Sequence, residues 1–218
     1  MKFIKLMGLI FGLLSSLTTQ AHYLWLEQAD GKTKLYFGEY EGNLREITGG
    51  RLDMIASPQA MTNPESGKSN SLEITRMDNY LNIATTKAQP VVAQELTMKV
   101  KDLTKYNIGI VKPMYYAKIG NAKADGISAL DLDIQLLGDN KVRVYLYGKP
   151  LAKAKLKVYA PNQWMQELDT NEIGETAFVT PWTGLYVLNV VTVESVKGEF
   201  KGEKYDGIRH VGTLTIIK

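Results

Sequence analysis

LDLDIQLLGDNKVRVYLYGKP, residues 130–150, is the stretch that decides the fold class. Leu130, Leu132, Ile134 and Leu136 alternate with Asp131, Asp133 and Gln135. A two-residue period puts the apolar set on one face of an extended strand and the polar set on the other. Gly138-Asp139-Asn140 supplies turn residues, Val142, Val144 and Leu146 resume the alternation, and Gly148-Lys149-Pro150 turns again. Nothing in the stretch carries the spacing of a helix.

The same texture continues toward the C-terminus. Leu156 and Val158 alternate, residues 171–174 turn, and residues 177–179 make a short strand. Trp182-Thr183-Gly184 leads into the apolar run 185–193, and the chain closes on residues 211–217. About seven strands in roughly 80 residues is the spacing of an immunoglobulin-like sandwich. Upstream, residues 22–27 and 34–40 read as strands around the hairpin signal Ala29-Asp30-Gly31-Lys32. Residues 43–47 suit one helical turn that Gly49-Gly50 stops, and residues 57–70, with Pro58, Pro64 and Gly67, read as loop. Strands are expected at 71–75, 80–85, 91–100 and 107–112, while 114–123 fits helix or strand. The expectation is an all-β fold of two sandwich-like domains, residues 22–137 and 138–218, with a boundary at 138–140.

Residues 1–21, MKFIKLMGLIFGLLSSLTTQA, have the form of a cleavable export leader. Lys2 and Lys5 start it, 6–17 is uncharged and mostly apolar, and Thr19-Gln20-Ala21 is a small-x-small cleavage site. Cleavage after Ala21 would make His22 the first residue. The leader holds two of the 26 basic residues, leaving 24 against 23 acidic ones, so no charge argument for nucleic acid or an anionic membrane survives. No apolar run after the leader approaches the ~20 residues of a membrane helix. The chain has no cysteine, which excludes thiolate metal sites, cysteine nucleophiles and a lipid-anchoring cysteine. A periplasmic location is expected.

The chemistry rests on scarce residues, for the chain has only two histidines, His22 and His210. A terminal histidine offers its α-amine and its imidazole Nδ1 to one metal ion, a chelate that no internal histidine can make. Adding His210 gives three nitrogens, which suit Cu(II). Asp206, four residues before His210, shares its face in an extended strand and is a candidate oxygen ligand or anchor. Glu27, Glu39, Glu41, Glu46 and Asp53, with Arg45 and Arg51, form an acidic cluster. Glu39 and Glu41, two apart on a strand, are candidate oxygen ligands or a paired acid and base, but a solvated strand edge is the favoured reading. Trp25, Trp164 and Trp182 are expected in packing rather than as a carbohydrate platform, and the scattered methionines as core filler. No nucleophile elbow, phosphate loop or zincin motif occurs.

Residues 145–190 resemble the carboxypeptidase-regulatory or transthyretin-like sandwich. Gly148, Pro150, Leu151 and Ala154 match its first hairpin, Thr170, Gly174 and Phe178 its turn and strand, and Gly184 and Tyr186 its following strand. The opening Ala21-His22-Tyr23-Leu24-Trp25-Leu26, with YDGIRHVGTLTI from Tyr205, resembles an uncharacterised periplasmic family grouped with nickel and cobalt uptake components. That resemblance implies an exported protein that handles a transition metal (Cu, Ni or Co) or a small complex of one, with a membrane transporter as partner. An enzyme is not the expectation. The alternatives are a copper-dependent polysaccharide monooxygenase and a metal-free adhesion or assembly module.

Overall fold

Alternation becomes sheet nearly everywhere the sequence shows it. The structure, a computed structural model, describes residues 22–29, 31–62, 69–120, 130–138 and 140–218. The leader 1–21 lies outside them. Apart from two short 3-10 turns, Arg51–Met54 and Thr104–Tyr106, the regular structure among the described residues is strand, so the fold is all-β.

Nine strands carry the architecture: β1 (Tyr23–Ala29), β2 (Lys32–Glu39), β3 (Val91–Glu95), β4 (Ile110–Ile119), β5 (Leu132–Gly138), β6 (Lys141–Leu146), β7 (Lys155–Tyr159), β8 (Leu185–Glu194) and β9 (Gly207–Ile217). A central sheet runs in the order Met165–Asp169, β7, β8, β9, β4, β3, Gln59–Thr62 and Ser71–Leu72, with Lys101–Asp102 added on β4. A first outer sheet holds β1, β2, Leu81–Ile83 and Ile74–Arg76, with Leu44–Arg45 on β2. A second holds β5, β6 and Lys149–Pro150, with Glu175–Ala177 on β6.

Side-chain parity explains the layering. Along β4, Tyr115, Ala117 and Ile119 enter one core with Leu24, Phe37 and Leu81, while Tyr116 enters the other with Leu132, Ile134 and Val144. Along β8, Val187 goes to the first core, and Tyr186, Leu188 and Val190 go to the second. The central strands are covered on both faces, which is why 185–193 reads as an unbroken apolar run rather than an alternating one. Each outer sheet thus forms a sandwich with one face of the same central sheet.

The expected boundary at 138–140 falls at the turn of the β5–β6 hairpin, where Leu136 pairs with Val142 and Gly138 with Lys141. Glycine and asparagine mark a hairpin turn as readily as a linker. The central sheet also joins strands from both sides of residue 138, because β4 and β9 pair in parallel from Val111↔Gly207 to Ile119↔Thr215. The ambiguous segment 114–123 is strand to Ile119, with residues 121–129 outside the described set. No helical turn forms at 43–47, where Leu44–Arg45 instead pairs with the end of β2.

Candidate functional site

The site is built by a hairpin register. Tyr23 pairs with Gly38 and Ala29 with Lys32, so partner numbers sum to 61 along the β1–β2 hairpin. His22, just ahead of β1, therefore falls opposite Glu39, and directly opposed residues share a face. Their side chains meet, with His22 Nδ1 3.1 Å from Glu39 Oε1. The chain then doubles back over residues 40–43, where Asn43 N–H bonds to the Tyr40 carbonyl at 3.0 Å. The returning segment passes close to Gly38, whose φ is +146° and whose added Cβ would sit 2.1 Å from the Leu44 carbonyl oxygen. That close approach needs glycine. It lets Glu46 N–H bond to the Phe37 carbonyl at 2.9 Å and places the Glu46 carboxylate on His22 Nε2. Arg51 Nη1 lies 3.4 Å from the same nitrogen.

Glu39 is only 2% exposed, contrary to the expected solvated edge. Its Oε1 accepts no well-directed hydrogen bond. Burial first, then the neighbouring Glu41 and Glu46, push its carboxyl above the usual range against the opposing pull of His22. Nor do Glu39 and Glu41 act as a pair on one strand face, since β2 ends at Glu39. Glu41 instead accepts a hydrogen bond from the Tyr23 hydroxyl, which itself accepts one from Tyr40 N–H at 2.9 Å. Tyr23 stacks on Tyr159 with centroids 6.0 Å apart, and burial drives both phenols well above their ordinary range. Glu27 pairs with Arg45 at 2.9 Å, and Asp53 lies 3.6 Å from Arg76.

His22 and His210 are not brought together. On β9, Thr213 faces the first outer sheet, donating to the Leu24 carbonyl at 2.6 Å, whereas His210, three residues earlier, faces the second. The histidines thus lie on opposite sides of the central sheet. His210 is fully buried, with Nδ1 3.1 Å from the Tyr116 hydroxyl and Nε2 3.3 Å from that of Tyr147. Tyr147 gives its proton to Glu194 at 3.0 Å, so it accepts from Nε2–H, and Tyr116 donates to the Nδ1 lone pair. The acid near His210 is Glu194, at 3.7 Å, while Asp206 is exposed and bonds through its backbone N–H to the Ile110 carbonyl. Burial holds the His210 imidazole below its ordinary pKa.

Among the tryptophans, Trp25 is buried against Tyr36, as packing required. Trp164 and Trp182 are each 38% exposed and meet edge to face at 5.4 Å. Met98 is core, but Met54, Met77 and Met165 are exposed.

Sequence reading named His22 and the acidic cluster separately and missed that they are one constellation. The signal was present: Ala29-Asp30-Gly31-Lys32 reads as a tight hairpin connection, and pairing Ala29 with Lys32 sets the register that opposes residues 22 and 39. Among the described residues no group of three or more His, Asp or Glu side chains is arranged to hold a metal ion. Two side-chain donors, His22 Nδ1 and Glu39 Oε1, converge, and a freed α-amine at His22 would be the third. Comparison with known protein families, curated proteins and solved structures gave no match to this chain.

Proposed function

We propose that the chain, cleaved ahead of His22, is a periplasmic protein that binds one transition-metal ion (Cu, Ni or Co) through His22 and serves its uptake or delivery. The observation that carries this reading is the 3.1 Å approach of His22 Nδ1 to the buried, unbonded Oε1 of Glu39. With Nε2–H given to Glu46, a neutral imidazole presents a lone pair at Nδ1, and that lone pair faces a carboxylate oxygen. Two lone pairs at this distance repel unless a cation lies between them. The spacing suits adjacent ligands that each bond a metal at about 2.1 Å. Glu46 then serves as the carboxylate that orients a metal-binding imidazole from behind.

A proton on Nδ1 would also satisfy the geometry, making His22 an imidazolium between two carboxylates. The placing of His22 between Glu39 and Glu46 is what favours that second, metal-free reading, under which the protein is an adhesion or assembly module. Titration calorimetry separates the two. Protein beginning HYLWLE is expected to bind one Cu(II) or Ni(II) near pH 7, and one extra residue ahead of His22 is expected to weaken binding at least a hundredfold by moving the amine off its own imidazole. Equal affinity with and without that residue would remove the metal reading.

A further inference from the structure

Beside His22 lies a group of three cations, Arg51, Lys101 and Arg209, of which, among the described residues, only Arg51 has a carboxylate within reach, Glu46 Oε1 at 4.0 Å. Arg209 on β9 is 7% exposed, and among the described residues no carboxylate pairs with it or with Lys101. A guanidinium is seldom buried without a partner, because desolvating a charge costs several kcal/mol that only a counter-charge offsets. Register sets the faces. Val211 pairs with Tyr115, which puts Arg209, two residues before Val211, on Tyr115's side of the sheet, and Lys101 opposes Val111 on that same side. This face looks toward the His22 hairpin, for the Tyr115 ring meets Phe37 at 5.8 Å and Phe37 meets His22 at 5.2 Å.

The cations also act on one another. The Arg209 guanidinium and the Tyr115 phenol interact electrostatically, and Lys101 is held below its usual pKa first by burial, then by the charges of Arg209 and Arg51. Arg51, 66% exposed, reaches back to His22 Nε2 at 3.4 Å. The nearby carboxylates are committed elsewhere. Glu46 holds His22, and Glu95 accepts from Ser57 N–H at 2.8 Å and from both Thr97 N–H and its hydroxyl at 2.6 Å.

We infer that Arg51, Lys101 and Arg209, with the Tyr115 hydroxyl, form a subsite for the carboxylate groups of a small polycarboxylate lying next to His22. Combined with the metal reading, on which this last step rests, the cargo is a metal ion still held by its polycarboxylate chelator. One end of the complex meets the His22 donors and the other meets the cations. Guanidinium suits such a ligand because its parallel N–H groups match the two carboxylate oxygens.

The probe is citrate added to metal-free full-length mature protein, followed by calorimetry and thermal melting. One citrate per chain and a raised melting temperature are expected. Arg209→Gln and Lys101→Gln should each cut the affinity at least tenfold. Should Arg209→Gln fail to fold, Arg51→Gln, at an exposed position, is expected to show a loss of the same sign. Citrate binding retained by protein with an extra residue ahead of His22 supports the subsite even if that protein and the native one bind metal alike, which would sink only the metal reading. No citrate binding, undiminished binding in all three variants, or binding of inorganic phosphate in place of citrate would overturn the assignment.

Discussion

Single residues show what the site demands. Glu39 has a carboxyl raised by burial, so its folded-state pKa exceeds its unfolded one. Its contribution to stability is then greatest in acid and is lost as pH rises through the folded value. Glu39→Gln should accordingly raise the melting temperature of the metal-free protein at neutral pH while weakening metal binding, a pairing that a purely structural ion pair would not give. Glu46→Gln, which leaves Nδ1 alone and removes the group behind it, should cost about 10–100-fold in affinity. His210 has the opposite sign. Burial lowers its pKa below the unfolded value of about 6.5, so its contribution is present above that pH and fades as pH falls. The drop in melting temperature between pH 7.5 and pH 5 should be smaller in His210→Gln than in the parent, and its metal affinity should stay within about twofold. The importance of His22 was legible because it is one of two histidines and follows a small-x-small sequence of the kind expected at a cleavage site. The fate of His210 was not, since an arginine neighbour suggests a surface and only the covering sheet shows that both residues are buried.

At the level of elements, register is what turns separate residues into a site. A residue inserted within β1, between Glu27 and Gln28, would slip the start of β1 against β2 and send His22 to the face opposite Glu39. Metal binding should disappear while the circular dichroism spectrum stays that of a β-protein. Gly38→Ala tests the close approach of the returning segment. With a backbone oxygen 2.1 Å from the new Cβ at a positive φ, it should lower the melting temperature by several degrees and displace Glu46. The β1–β2 hairpin was readable because its turn is local and its strands are short. β4 was harder, because Lys112 and Lys118 interrupt an apolar pattern yet are both buried. Lys112 Nζ donates to the Leu96 carbonyl at 2.7 Å and lies 4.2 Å over the Phe200 ring, and burial brings its pKa down to about 8. Lys118 pairs with Asp133 across the second core. Partners so distant in sequence leave no periodic trace, so the segment reads as ambiguous until the neighbouring sheet is in place.

For the molecule as a whole, the decisive feature is the sheet common to both sandwiches. The two-segment division read from the turn at 138–140 would allow residues 138–218 to fold alone. With β4 gone, β9 loses its parallel partner, and Tyr159, Val187 and Val211 lose the outer sheet that covers them. That fragment should show a collapsed amide spectrum and no cooperative melt, whereas the chain from His22 should melt in one transition. Parallel pairing across about a hundred residues cannot be seen in a local pattern, which is why the class of fold was legible and its wiring was not. The position of β9 has a consequence in time. Of the described strands, β9 leaves the ribosome latest, yet it is an interior strand of the central sheet, flanked by β8 and β4. Until its residues emerge, neither core can close. A chain threaded from its N-terminus through a narrow pore would thus stay pliable until β9 had passed and would commit to its shape only on arrival.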